Sequence, residues 1–123
     1  MNRSRNVLGG PLVPCSHEPL TGFFRDGCCN TGEDDLGSHT VCTEVTAGFL
    51  AFLAAHGNNL LKAAPQFGFP GLKPGDRWCV CAASWVQAMR EGFAAPVVLE
   101  STHEAVLKFV TLDELRLHSI RVN

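Results

Sequence analysis

The spacing of apolar and polar positions changes period several times along the chain. His39 to Val45 alternates, with Val41 and Val45 on one face and Thr40, Cys42 and Glu44 on the other, and predicts a strand. Thr46 has the chemistry of a helix N-cap. Phe49, Phe52 and Leu53 then recur at helical spacing, and Gly57 stands where that helix should end. Arg77 to Cys81 predicts a second strand, with Trp78 and Val80 facing one way and Arg77, Cys79 and Cys81 the other. Ala82 to Glu91 follows as a helix, with Trp85, Ala88 and Met89 on one face and Gly92 at its end. Pro96 to Leu99 is a short apolar strand, and the short, bounded run Val106 to Val110 is assigned to another. Ser101 to Glu104 has the serine-to-glutamate spacing of a capping box; Thr111 to Glu114 repeats the pattern and opens a last helix to about His118.

Between these elements the chain is punctuated by glycine and proline. Met1 to Asn6 reads as a mobile polar tail, and Val7 to Pro19 as irregular structure with room for one short strand. Leu60 to Pro74 is a connector in which Pro70-Gly71 and Pro74-Gly75 each suit a type II turn, proline fixing φ and glycine taking the positive φ. Strands and helices are interleaved without repeats. The expected fold is α+β: a single compact domain over residues 1–123, with a small sheet and several helices packed on it.

Composition narrows the function classes. The chain has 123 residues, 46% of them hydrophobic and 18% charged, enough for one core without staples. A net charge of −2 with no basic run supplies no electrostatic footprint for nucleic acid. The longest apolar stretch, Gly48 to Ala55, is far too short to span a bilayer. No apolar segment follows the basic residues Arg3 and Arg5, so a cytoplasmic setting is expected. In that setting clustered cysteines bind metal, perform chemistry or are simply buried.

The chemistry concentrates between Gly22 and Cys42, a loop too long and polar to be a mere connector. The six cysteines are Cys15, Cys28, Cys29, Cys42, Cys79 and Cys81. Cys29, His39, Cys42, Cys79 and Cys81 are expected to converge, and they offer enough ligands for a tetrahedral zinc site. A nucleophilic cysteine is the alternative. Cys29 lies near Arg25 and His39 in sequence, Cys81 precedes a helix start, and His39 and His103 are the candidate bases. Arg25, Asp26, Asp35 and Arg77 are the candidates for holding a small polar ligand, or for knitting the loop to the body. Against all of these stands the plainer reading of cysteines as small buried hydrophobes in a structural domain with no site.

Asn6-Val7-Leu8-Gly9, Thr21 to Arg25, Cys29 to Cys42 and above all Phe69 to Cys81 together resemble the domain-of-unknown-function 2237 family of small, mostly bacterial proteins. The resemblance runs from about Asn6 to His118. One cysteine is usual in the family where this chain has Cys28-Cys29, which makes Cys28 the weaker functional candidate of the two. An aspartate often stands where this chain has Asn59. The resemblance implies no mechanism. The expected function is a domain whose Cys/His/Asp pocket binds a metal ion or small polar ligand, with an enzyme using Cys29, Cys81 or a bound metal as the alternative. Neither composition nor spacing fixes the oligomeric state.

Overall fold

The computed structural model describes residues 4–67 and 69–120. Two short strands, β1 (Val41–Glu44) and β2 (Arg77–Val80), form an antiparallel ladder in which Val41 pairs with Val80, Cys42 with Cys79, Thr43 with Trp78 and Glu44 with Arg77. Each strand runs directly into a helix: α1 (Ala47–Ala55) after β1 and α2 (Ala82–Arg90) after β2. A short α3 (Leu112–Leu117) closes the described chain. The architecture is α+β, as the interleaved pattern predicts.

Local chemistry sets the helix ends. Thr46 accepts a hydrogen bond from Phe49 N–H at 3.1 Å and so satisfies one of the donors that a helix start leaves open. Past α1, Gly57 takes φ 90°. Thr111 and Glu114 form a complete capping box at α3. At Pro74-Gly75 the Asp76 N–H returns to the Lys73 carbonyl at 3.1 Å, and Gly75 supplies the positive φ of 96°.

Three expectations change. Pro96 to Leu99 forms no ladder: Val97 makes single bridges to Thr43 and Ser119, and a 3₁₀ turn begins at Leu99. Glu104–Lys108 is a 3₁₀ segment rather than a strand, and its cap is His103, not Ser101; the His103 Nδ1 accepts from Ala105 N–H at 3.0 Å. A short apolar run satisfies either geometry, and here the surrounding packing decides. Finally, Asn6 of the expected tail is bridged to His103 and buried, while Met1 to Arg3 lie outside the described residues.

The two faces of the ladder bury different chemistry. Val41, Trp78 and Val80 join Phe49, Leu50, Leu53 and Trp85 in the main apolar core, while Cys42 and Cys79 face a second cluster with Cys15, Cys29 and Val98. The parity assigned to Trp78, Cys79 and Val80 from alternation is therefore the observed one. Glycine also carries the loop: Gly22 lies so close to the Cys28 carbonyl that any side chain there would strike it.

Candidate functional site

The five residues expected to converge divide into two groups. Cys29 is bonded to Cys79, and Cys42 is bonded to Cys15. The Sγ atoms of Cys15, Cys29 and Cys79 lie within 4.8 Å of one another. Four of the six cysteines are thus paired in one buried knot, which corrects the expectation of free thiols throughout. In this pairing Cys29, Cys42 and Cys79 present no thiolate to a metal, and Cys29 is no nucleophile. Cys15, which no candidate set includes, is a member of the knot. Spacing alone gives no access to connectivity, because six cysteines allow fifteen complete pairings and more arrangements still that leave two of them free.

His39 and Cys81 form the other group, on the wall of a cavity of about 330 Å³ between the Gly22–His39 loop and the β2–α2 junction. A methyl group placed on Gly37 would lie 2.9 Å from His39 Cε1 and 3.5 Å from Cys81 Sγ, so the ring and the thiol border the same small gap. Cys81 is one of two free cysteines and the N-cap residue of α2, where its side chain makes no capping bond. Cys28 is the other free thiol. It is buried, and burial together with the Asp26 carboxylate pushes its pKa up, holding it protonated.

Asp35 organises the histidine. Its carboxylate is buried and sits 2.6 Å from His39 Nδ1; the second oxygen accepts from His39 N–H at 2.9 Å and from the Thr31 hydroxyl at 3.0 Å. Burial alone would raise the Asp35 pKa, but these hydrogen bonds and the imidazole outweigh it and hold the carboxyl below its ordinary value. The contact leaves Nε2 as the ring's remaining nitrogen. The residue before the histidine, Ser38, takes a left-handed φ of 51°, and its carbonyl accepts from Ala82 N–H at 3.0 Å, tying the loop to the start of α2. Such backbone costs about 1–3 kcal/mol and persists only where surrounding contacts over-determine it.

Arg25 lines the same cavity, also with a left-handed φ, of 54°. Its guanidinium lies over the Trp78 ring, 5.1 Å from the centroid, and Nη1 donates to the Gly22 carbonyl at 2.9 Å. Phe23 stacks against His39 with ring centroids 6.2 Å apart.

The remaining candidates are placed elsewhere. Asp26 folds back on its own loop, accepting from Cys28 N–H and the Asn30 amide, both at 2.9 Å. Arg77 stands 4.0 Å from Glu44, its partner across the ladder. His103 caps the 3₁₀ segment and borders a different groove beside Leu36, Lys108 and Phe109; burial pushes its pKa down, with the Glu104 and Lys108 charges acting in opposite directions. Sequence reasoning missed Trp78 as a cavity residue, and no signal separates that from its part in the core.

The family model described as "Uncharacterized protein conserved in bacteria" matches residues 5–119. No curated protein matches the chain. Among the described residues no helix is long and apolar enough to cross a membrane.

Proposed function

For a chain that belongs to the domain-of-unknown-function 2237 family, whose description names no reaction, we propose a function from the cavity itself: thiol-dependent group transfer on a small polar substrate. Cys81 is the nucleophile, His39 the general base and Asp35 the residue that fixes the base. The observation that carries this reading is the 2.6 Å contact between the buried Asp35 carboxylate and His39 Nδ1, with a free thiol bordering the same gap as the ring.

A carboxylate on Nδ1 fixes the proton there and leaves Nε2 to accept one. In the reaction, Nε2 takes the Cys81 proton and Sγ bonds to an electrophilic carbon such as an acyl carbonyl. The leaving group departs with the proton from His39, and water releases the acyl group through a second passage over the same ring. Arg25 offers a guanidinium to an anionic substituent of the substrate. The Cys81 thiol must stay reduced, which a cytoplasmic setting maintains; that setting is part of the proposal, and it also works against the Cys15–Cys42 and Cys29–Cys79 disulfides.

The test uses a small acyl thioester carrying a carboxylate, with the adduct located by peptide mass spectrometry. Acylation is expected at Cys81, and His39→Ala should slow it by about a hundredfold or more, the usual share of a general base. Equal rates in the two proteins, or a label on Cys28, would overturn the assignment. A ligand site without turnover is the second reading, favoured by the guanidinium stacked on Trp78. It predicts saturable binding of a small carboxylate that Arg25→Ala abolishes, with no adduct.

A further inference from the structure

The cysteine knot lies apart from the Asp35–His39–Cys81 arrangement in chemistry, and the proposed reaction makes no use of it. Cys42 and Cys79 are ladder partners. Their N–H groups both turn away from the ladder, Cys42 N–H to the Thr102 hydroxyl at 3.2 Å and Cys79 N–H to the Thr21 hydroxyl at 2.9 Å. They therefore occupy a non-hydrogen-bonded pair, the position where facing side chains come closest. Each is bonded instead to a loop cysteine, Cys42 to Cys15 and Cys79 to Cys29. All four residues are buried, and three of the sulfurs already lie within 4.8 Å of one another.

We infer that Cys15, Cys29, Cys42 and Cys79, once reduced, form a tetrathiolate site for a single zinc-like divalent cation. Two ligands come from adjacent positions of a rigid ladder and two from loops, and four thiolates are the ligand set of closed structural zinc sites. Ligand sulfurs about 2.3 Å from a common ion lie closer together than the 4.8 Å within which Cys15, Cys29 and Cys79 already sit, and the bonded pairs must first open on reduction. Cys42 completes the set by rotating its side chain when its bond to Cys15 opens.

The conversion balances with a dithiol reductant. Each disulfide accepts two electrons and two protons while the dithiol becomes a cyclic disulfide, leaving four thiols; the cation then displaces four protons to solvent. Oxidised and metal-bound forms are mutually exclusive, because a sulfur in a disulfide is not a thiolate ligand. The set differs from the one expected from sequence by including Cys15 and leaving out His39 and Cys81.

The experiment is an anaerobic titration of the full chain with cobalt(II), as a spectroscopic stand-in for zinc, before and after reduction by a dithiol that is then removed. The reduced protein should take up one cobalt per chain, with the intense visible and thiolate-to-metal charge-transfer bands of tetrahedral sulfur coordination, and the oxidised protein none. Cys15→Ser and Cys42→Ser should each weaken or abolish those bands, while Cys81→Ser keeps them. Because a serine variant can fail to fold, alkylation of the zinc-loaded wild-type chain gives a second readout: Cys15, Cys29, Cys42 and Cys79 should be protected together, with Cys81 modified. The inference is overturned by a reduced chain that gives no charge-transfer band, by full binding in the oxidised form, or by protection of Cys81 with Cys15 left open. The outcome is independent of whether Cys81 is acylated.

Discussion

Cys42 and Cys79 face each other across the two-stranded ladder, yet neither is bonded to the other. The strands bring them together through their own register. The loops then divide them, Cys15 taking Cys42 and Cys29 taking Cys79. The pairing staples the irregular first third of the chain to the sheet.

Closing loops of 27 and 50 residues restricts the unfolded chain, by about 3–4 kcal/mol for each crosslink in the chain-entropy account. Metal-free protein treated with a reductant should therefore melt at least about 10 °C lower than the oxidised form. Differential scanning calorimetry under both conditions checks this. An unchanged melting temperature would mean that the crosslinks do not form in solution.

Trp78 serves two surfaces at once. It is buried in the main core beside Phe69, and the Arg25 guanidinium rests on its ring. Trp78→Ala should cost about 3–5 kcal/mol in urea denaturation, as large aromatic truncations in cores do. Trp78→Phe should retain most of the stability while loosening Arg25. A near-neutral alanine variant would contradict the observed parity of β2.

Gly37 tests the geometry of the reactive group without replacing any of its members. Its conformation lies outside the left-handed region, so alanine is tolerated by the backbone, but the added methyl would press on His39 Cε1 at 2.9 Å. That ring is partly exposed and can swing aside. Gly37→Ala should fold normally and react with iodoacetamide at Cys81 about tenfold to a hundredfold more slowly, the scale of a small misplacement at a reacting centre. Peptide mapping over a time course gives the rate, with Cys28 as the slow internal comparison.

Asp35 gives stability a defined pH dependence. Its folded pKa lies below the ordinary value of 3.8. The unfolded chain therefore binds this proton first as pH falls. The contribution is fully present above the unfolded value and is lost as pH drops through the depressed folded one. Asp35→Asn should be less stable than the native chain at neutral pH, and the difference should shrink steadily below about pH 4. Denaturation midpoints across that range decide it; a constant gap would show that the charge contributes nothing.

The elements legible in the sequence are those governed by neighbours a few residues apart. Thr46, the Thr111–Glu114 box, Gly57 and the Pro74-Gly75 turn act on backbone groups within one turn of themselves, so residue type and spacing suffice. Alternation likewise gave Trp78 and Val80 one face of β2 and Cys79 the other. The Gly22–Cys42 loop was visible as a concentration of reactive residue types. What those residues do was not. Asp35 and His39 are four apart in a loop without fixed periodicity, and the left-handed turn at Ser38, its bond to α2 and the Asp35 carboxylate together hold the ring beside the gap that Cys81 borders. The cysteine pairing is further from reach, because it joins residues 27 and 50 positions apart. Val97 and Val106 show the same limit in the core: both are apolar and buried, and only the available partners decide between a ladder, a single bridge and a 3₁₀ turn. Local sequence determines conformations whose energies are settled within a turn. The site depends on contacts between distant segments, whose free energy exists only after the chain has closed around them.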